Sequence, residues 1–178
     1  MILGKDWYRA MAPRLTVLVS TADAEGNHNA APFSFCSPVS ADPPLLMISS
    51  AFKRHTLANI RETREFVVNI PGELLVAAVQ KCSDPMPKGE SEIFASGLAP
   101  GTSETVKAPF IQDGVAYFEC RLEWEKEAGD HVIVVGRVLK AVVKDEFWVD
   151  GSFDFLNALP VLHVGGRTFT VGDRLILA

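Results

Sequence analysis

The chain lacks the signatures of several common catalytic and binding classes. No CxxC occurs, and Cys36, Cys82 and Cys120 lie far apart, which argues against a zinc site. No GxSxG, HExxH or GxxxxGK[ST] is present. The glycines around Gly129 and Gly165 make no dinucleotide fingerprint, so Rossmann binding of a nicotinamide cofactor has no support. No apolar run approaches the roughly 20 residues of a membrane helix, so no membrane association is expected. The opening MILGKDWYRAMAPRL carries charges throughout rather than the apolar stretch of a leader. With three scattered cysteines, this makes a reducing cytoplasmic location the expectation. An excess of positive charge is also missing. Seventeen Lys and Arg against 22 Asp and Glu leave a net charge of −5. That excludes a broad nucleic-acid surface but not a local anion site on one basic loop.

What is present suits one β-rich domain spanning residues 1–178, with 48% hydrophobic residues and no linker or repeat. Leu15–Thr21 is β-branched and apolar and stops at the turn signal ADAEGN. Asn27–Cys36 and residues 45–50 follow as strands, which suggests an antiparallel meander. Residues 54–64 read as a helix with Leu57 and Ile60 on its apolar stripe. Glu65–Ile70 returns to strand, and Glu73–Lys81 reads as a second short helix. Residues 83–109 are proline-rich, with room for one short helix around Ser91–Ala95. Val115–Trp124 alternates as a strand, placing Glu119, Arg121 and Glu123 on one face. His131–Val143 is the strongest strand signal, and Gly136 within it predicts a bulge or bend. Short pieces at Val161–Val164 and Thr168–Val171 finish the chain. Strands mostly follow one another directly, so a small closed barrel with helical insertions is expected.

Three places can carry chemistry. Lys53, Arg54 and His55 precede Thr56 at the helix start, with Ser49 and Ser50 just before them. A helix N-terminus offers unpaired N–H groups and partial positive charge, so the cluster reads as a phosphate cradle. It reads equally as a threonine N-cap among surface cations. NAAPFSFC, residues 29–36, places Pro32 inside a strand pattern, although proline cannot donate to a ladder. Patterning alone favours a kinked barrel strand. The other reading leaves this backbone, with Ser34, open to a flat polar ring. His131 opens its strand at a barrel rim, where it can be structural or can donate to a substrate or move a proton. His28, His55 and His163 have no metal-like spacing.

The ordered set RLTVLVSTADAEGNHNAAPFSF, DPPLLMISS, KRHTLANIRETREFVVNIP, PKGESEIFASGLAP, YFECRLEW and GDHVIVVGRV resembles the flavin reductase-like family of FMN-binding split barrels. The likeness runs from about Pro13 to Phe169. It implies a mainly β, six-stranded antiparallel Greek-key split barrel with short helical insertions, and a homodimer with FMN near the interface. Asn29, Ala30, Ala31, Pro32, Phe33 and Ser34 would then line the flavin. Ser49, Ser50, Lys53, Arg54 and Thr56 would hold its phosphate. The family's usual lysine two positions before the threonine is Arg54 here. Asn59 and Asn69 match further family positions, with Asn69 a candidate cofactor contact. His131 matches a histidine near the nicotinamide in some members. A tyrosine common after the glycine pair is replaced by Phe169. The implied activity is hydride transfer from NADH or NADPH through bound FMN to free flavin, a ferric chelate or a redox protein. The alternatives are a flavoredoxin-like carrier that does not itself oxidise NAD(P)H, and a barrel binding module without flavin.

Overall fold

The computed structural model describes residues 2–87 and 90–176. Lys88 and Gly89, within the PKGESEIFASGLAP segment, lie outside the described residues, as do Met1, Leu177 and Ala178. The main elements are Val17–Ala22 (β1), His28–Phe33 (β2), Cys36–Ser40 (β3), Leu45–Ala51 (β4), His55–Thr63 (α1), Glu65–Ile70 (β5), Val76–Lys81 (α2), Glu92–Ala95 (α3), Ala116–Ala128 (β6), His131–Val143 (β7), Val161–Gly165 (β8) and Thr168–Val171 (β9).

Seven of these strands form one antiparallel sheet in the order β2-β1-β5-β6-β7-β4-β3. β2 and β3 stand at its two edges, yet only Ser34 and Phe35 separate them in the chain. The sheet therefore curls until its edges meet, and the Ser49 N–H donates to the Phe35 carbonyl at 2.9 Å across the join. Counting β2 and β3 as one strand broken at Ser34-Phe35 turns seven into the six expected. The break also corrects the expected meander. β4 pairs with β3 and β7 rather than with β2, because Cys36–Ser40 takes up its free edge.

Pro32 lies in β2 opposite Leu18, and among the described residues β2 forms a ladder with β1 alone. Its missing N–H falls on an edge that has no ladder to satisfy. β1 is buried at every position because both faces are covered. Val17 and Val19 join Ile48, Leu57, Ile60, Phe66 and Val68 in the barrel core. Leu18 packs outward with Val79, Ile93 and Ile111, under α2 and α3. Fully burying one such side chain contributes about 1.5–3 kcal/mol.

Several boundaries differ from expectation. The first turn of the second helix, Glu73–Leu75, is 3-10, and α-geometry begins at Val76. β6 runs to Ala128, past the expected Trp124, because the ladder with β7 holds the polar residues EKEA in a ribbon. Cys120 and Leu122 face the core, and Glu119, Arg121 and Glu123 alternate with them on the outer face. Glu119 is nonetheless fully buried, beneath residues 104 and 105. A bulge falls at Gly136, with its extra residue, Glu123, in the partner strand β6, since Val135 faces Trp124 while Gly136 faces Leu122. A Cβ at Gly136 would lie 2.4 Å from the Phe66 ring, so glycine is required for this approach. A separate three-stranded sheet joins Arg14–Leu15, β8 and β9. Ahead of it, Gly4–Met11 forms a 3-10 helix with no buried residue. Among the described residues, no helix is long and apolar enough to cross a membrane.

Candidate functional site

Three strand ends converge at one rim of the barrel. The register sets His131 of β7 opposite Ala51 of β4, with Ile133 opposite Ser49. The Ser49–Phe35 hydrogen bond brings the break between β2 and β3 to the same place. The helix α1 begins four residues after Ala51, so its N-terminus follows directly from this rim. A cleft of about 880 Å³ opens here, large for a small-molecule site. Ala31, Pro32, Phe33, Ser34, Ser49, Arg54 and His131 all line it.

The N-terminus of α1 suits an anion. Its N-cap is Arg54, which has extended backbone and makes no side-chain cap. The expected threonine N-cap is therefore corrected: Thr56 lies one residue inside the helix and is buried. Among the described residues, Arg54 has no ion-pair partner. Free first-turn N–H groups beside an unpaired guanidinium make an anion site.

Several expected contact residues sit behind the cleft rather than in its wall. Asn29 and Thr56 are buried, and the Thr56 hydroxyl donates to Asn29 Oδ1 at 3.0 Å. The Asn29 amide donates to Glu92 Oε2 at 2.8 Å, and Asn59 Nδ2 donates to the Thr21 hydroxyl at 3.0 Å. This polar network ties β2 to α1 and α3. Thr56 has one hydroxyl proton, and this bond uses it. Its main-chain N–H remains the group it can offer at the helix start. Ala30 is fully buried in the outer cluster under α2 and α3. The Ser50 hydroxyl donates to the Ala51 carbonyl at 3.1 Å, and Lys53 is exposed. Asn69 is buried far into β5. It donates to the Leu18 carbonyl at 3.0 Å and accepts the Ile111 N–H at 2.8 Å, which pins residues 110–111 to the barrel.

His131 is bonded through Nδ1 to Asp130 Oδ1 at 2.7 Å. A carboxylate only accepts, so Nδ1 carries the proton and Nε2 is the nitrogen left for a ligand. The same bond holds Asp130 below the usual carboxylate range, aided by the charge of the ring. The environment of the cysteines disfavours the thiolate. Burial pushes the Cys36 thiol up to about 12 and raises Cys82 and Cys120 as well.

Sequence reading missed one wall of the cleft. Lys5, Trp7, Tyr8, Met11 and Arg14 all line it, the first four from the 3-10 helix. Tyr8 stands edge-on to Phe35 with ring centroids 6.0 Å apart, and Phe35 tilts against His131 at 5.7 Å. Two aromatics and a methionine in an otherwise polar stretch were the available signal. Nothing local marks where such a segment docks.

Fold and site together define a split β-barrel with an anion-competent cleft at its rim. The chain belongs to the flavin reductase-like family: the family model for the flavin reductase like domain matches residues 9–170. An uncharacterized protein of Methanothermobacter thermautotrophicus is 33% identical over 183 residues, covering 97% of this chain and 86% of its own. The crystal structure of nitrilotriacetate monooxygenase component B from Bacillus cereus superposes with TM-score 0.88 at 29% identity, covering 98% of this chain and 94% of that one. A split barrel domain from Shewanella frigidimarina superposes with TM-score 0.90 at 24% identity, covering 100% and 98% of the two chains, and shows the fold alone.

Proposed function

We propose that the protein is an FMN-binding oxidoreductase that takes reducing equivalents from NADH or NADPH. Bound flavin would supply hydride and electron transfer toward free flavin, a ferric chelate or a redox protein. The observation that carries this reading is the meeting, in one cleft, of the uncapped α1 N-terminus with the unpaired Arg54. Together they would hold a phosphate monoester, with the Ser49 side chain beside them. Main chain from Ala31 to Ser34 would border the flat ring, and the edge position of β2 leaves it free to do so. His131, oriented by Asp130, would hold or pass a proton at Nε2. The phosphate role of Thr56 narrows to its main-chain N–H.

The homodimer implied by the family stays part of the reading. Exposed Trp124, Trp148 and Phe153 are apolar surface that a second copy would cover, and sedimentation velocity tests it. Three unpaired cysteines accord with a reducing cytoplasm.

Anaerobic mixing of the FMN-loaded protein with NADH and with NADPH tests the reaction. Rapid bleaching near 450 nm, roughly the oxidised flavin band, is the expected result. No bleaching with either nucleotide, but reduction by a protein donor, would identify a carrier instead. A protein left colourless after FMN reconstitution would overturn the whole reading.

A further inference from the structure

Among the described residues, the cleft holds two further cations without an ion-pair partner, Lys5 and Arg14, both on different elements from Arg54. Arg14 opens the short strand that pairs with β8, opposite His163. One terminal nitrogen, Nη1, donates to the Tyr8 carbonyl at 3.0 Å. The other, Nη2, lies 3.5 Å from His163 Nδ1. A guanidinium only donates, so Nδ1 accepts and the His163 proton sits on Nε2, which donates to the Gly166 carbonyl at 3.1 Å. Both partners of Arg14 are therefore neutral acceptors. Its Nε is buried and has no hydrogen-bond partner among the described residues.

Some other arginines have carboxylate partners. Arg137 forks onto Glu123 and Arg61 onto Glu125, both pairs at the surface. Arg14 is partly buried, with its Nε enclosed, yet among the described residues no carboxylate lies within ion-pair distance of it. Enclosing a cation without a counter-charge is costly, and an anionic ligand offsets the cost. Aromatic rings stand beside the fork. The guanidinium carbon stands 5.5 Å from the centroid of the Phe35 ring, and Tyr8 meets Phe35 edge-on. Trp7 meets Tyr8 edge-on in turn, with centroids 6.5 Å apart.

We propose that Arg14, Trp7, Tyr8 and Phe35 form a subsite for a planar aromatic carboxylate. The carboxylate takes the guanidinium fork, and the ring lies among the aromatic side chains. That this compound is a second reactant beside flavin rests on the function proposed above. The binding itself does not.

The test uses the full-length, FMN-loaded protein and isothermal titration with benzoate, benzamide and inorganic phosphate. Saturable benzoate binding is expected, about 10-fold or more tighter than benzamide, a step of roughly 1.4 kcal/mol. Phosphate should bind more weakly than benzoate. R14Q should weaken benzoate at least about 10-fold, leave benzamide unchanged and keep its FMN. Equal binding of benzoate and benzamide by the wild type overturns the proposal, even if R14Q fails to fold. So does wild-type benzoate affinity in R14Q, phosphate binding as tightly as benzoate, or loss of FMN from folded R14Q. A protein that takes up no FMN yet prefers benzoate keeps the subsite and overturns only the flavin reading.

Discussion

The amide of Asn29 donates to the Glu92 carboxylate at 2.8 Å, with both side chains buried. The bond joins β2, beside the cleft, to the short helix α3, and it settles which way the Asn29 amide faces. Its oxygen is then turned to Thr56 Oγ1 and Thr21 Oγ1, at 3.0 and 3.4 Å. Asn29 and Thr56, both expected as ligand contacts, thereby become struts between strand and helix.

Removing this bond should show in stability first. Glu92→Ala leaves the buried Asn29 amide without its acceptor, at a cost of about 1–3 kcal/mol. Thr56→Ala should cost a similar amount while leaving FMN affinity within about threefold, since its hydroxyl proton is spent on Asn29. Urea midpoints and flavin titrations on the same preparations check both. A Thr56→Ala protein of native stability that loses FMN would refute the strut role.

Glu119 makes stability depend on pH. Burial by itself would raise its pKa, but the Thr105 hydroxyl and the N–H groups of Glu104 and Thr105, with Lys140 nearby, together hold it below the usual value. A carboxylate lowered in this way stabilises the fold fully above its unfolded pKa, about 4.3. The contribution disappears as pH falls through the folded value. Glu119→Gln should therefore be about 1–3 kcal/mol less stable than wild type at pH 7. The gap should shrink below about pH 4.3. Urea midpoints from neutral to acid pH measure it, and a gap that ignores pH contradicts the assignment.

Gly136 tests the packing. A Cβ there would meet the Phe66 ring at 2.4 Å and the Cys120 Cβ at 3.1 Å. Both neighbours are fully buried, so neither moves away freely. Gly136→Ala should cost about 1–3 kcal/mol through overpacking. Thermal unfolding of an otherwise unchanged protein would show this, and an unchanged midpoint would mean that the bulge relaxes.

Much of the barrel was legible because its strands have strong local patterns. His131–Val143 appears with the expected bounds, and the bulge at Gly136 lies where a lone glycine in a strand pattern signals one. β3 escaped because Pro38 and exposed Ser37 and Val39 carry no alternation, and the partner β4 supplies its order. The last turns of β6 escaped because EKEA is polar and a ladder sustains it. In the site, Arg54 was legible from its place before a helix. Asn29 and Thr56 were not, because a buried polar residue and a ligand contact look alike until the partner is known. Asn29's partner, Glu92, is 63 residues away. The Trp7–Tyr8 wall was illegible for a related reason: nothing in Gly4–Met11 is buried, so it has no core-facing stripe to read.

Binding of FMN against riboflavin, which lacks the phosphate, tests the central claim most directly. The wild-type protein should bind FMN at least about 10-fold more tightly than riboflavin, and Arg54→Ala should erase most of that preference. Equal affinity of the wild type for the two flavins, or an undiminished preference in Arg54→Ala, would contradict the assignment of Arg54 and the α1 N-terminus to the phosphate.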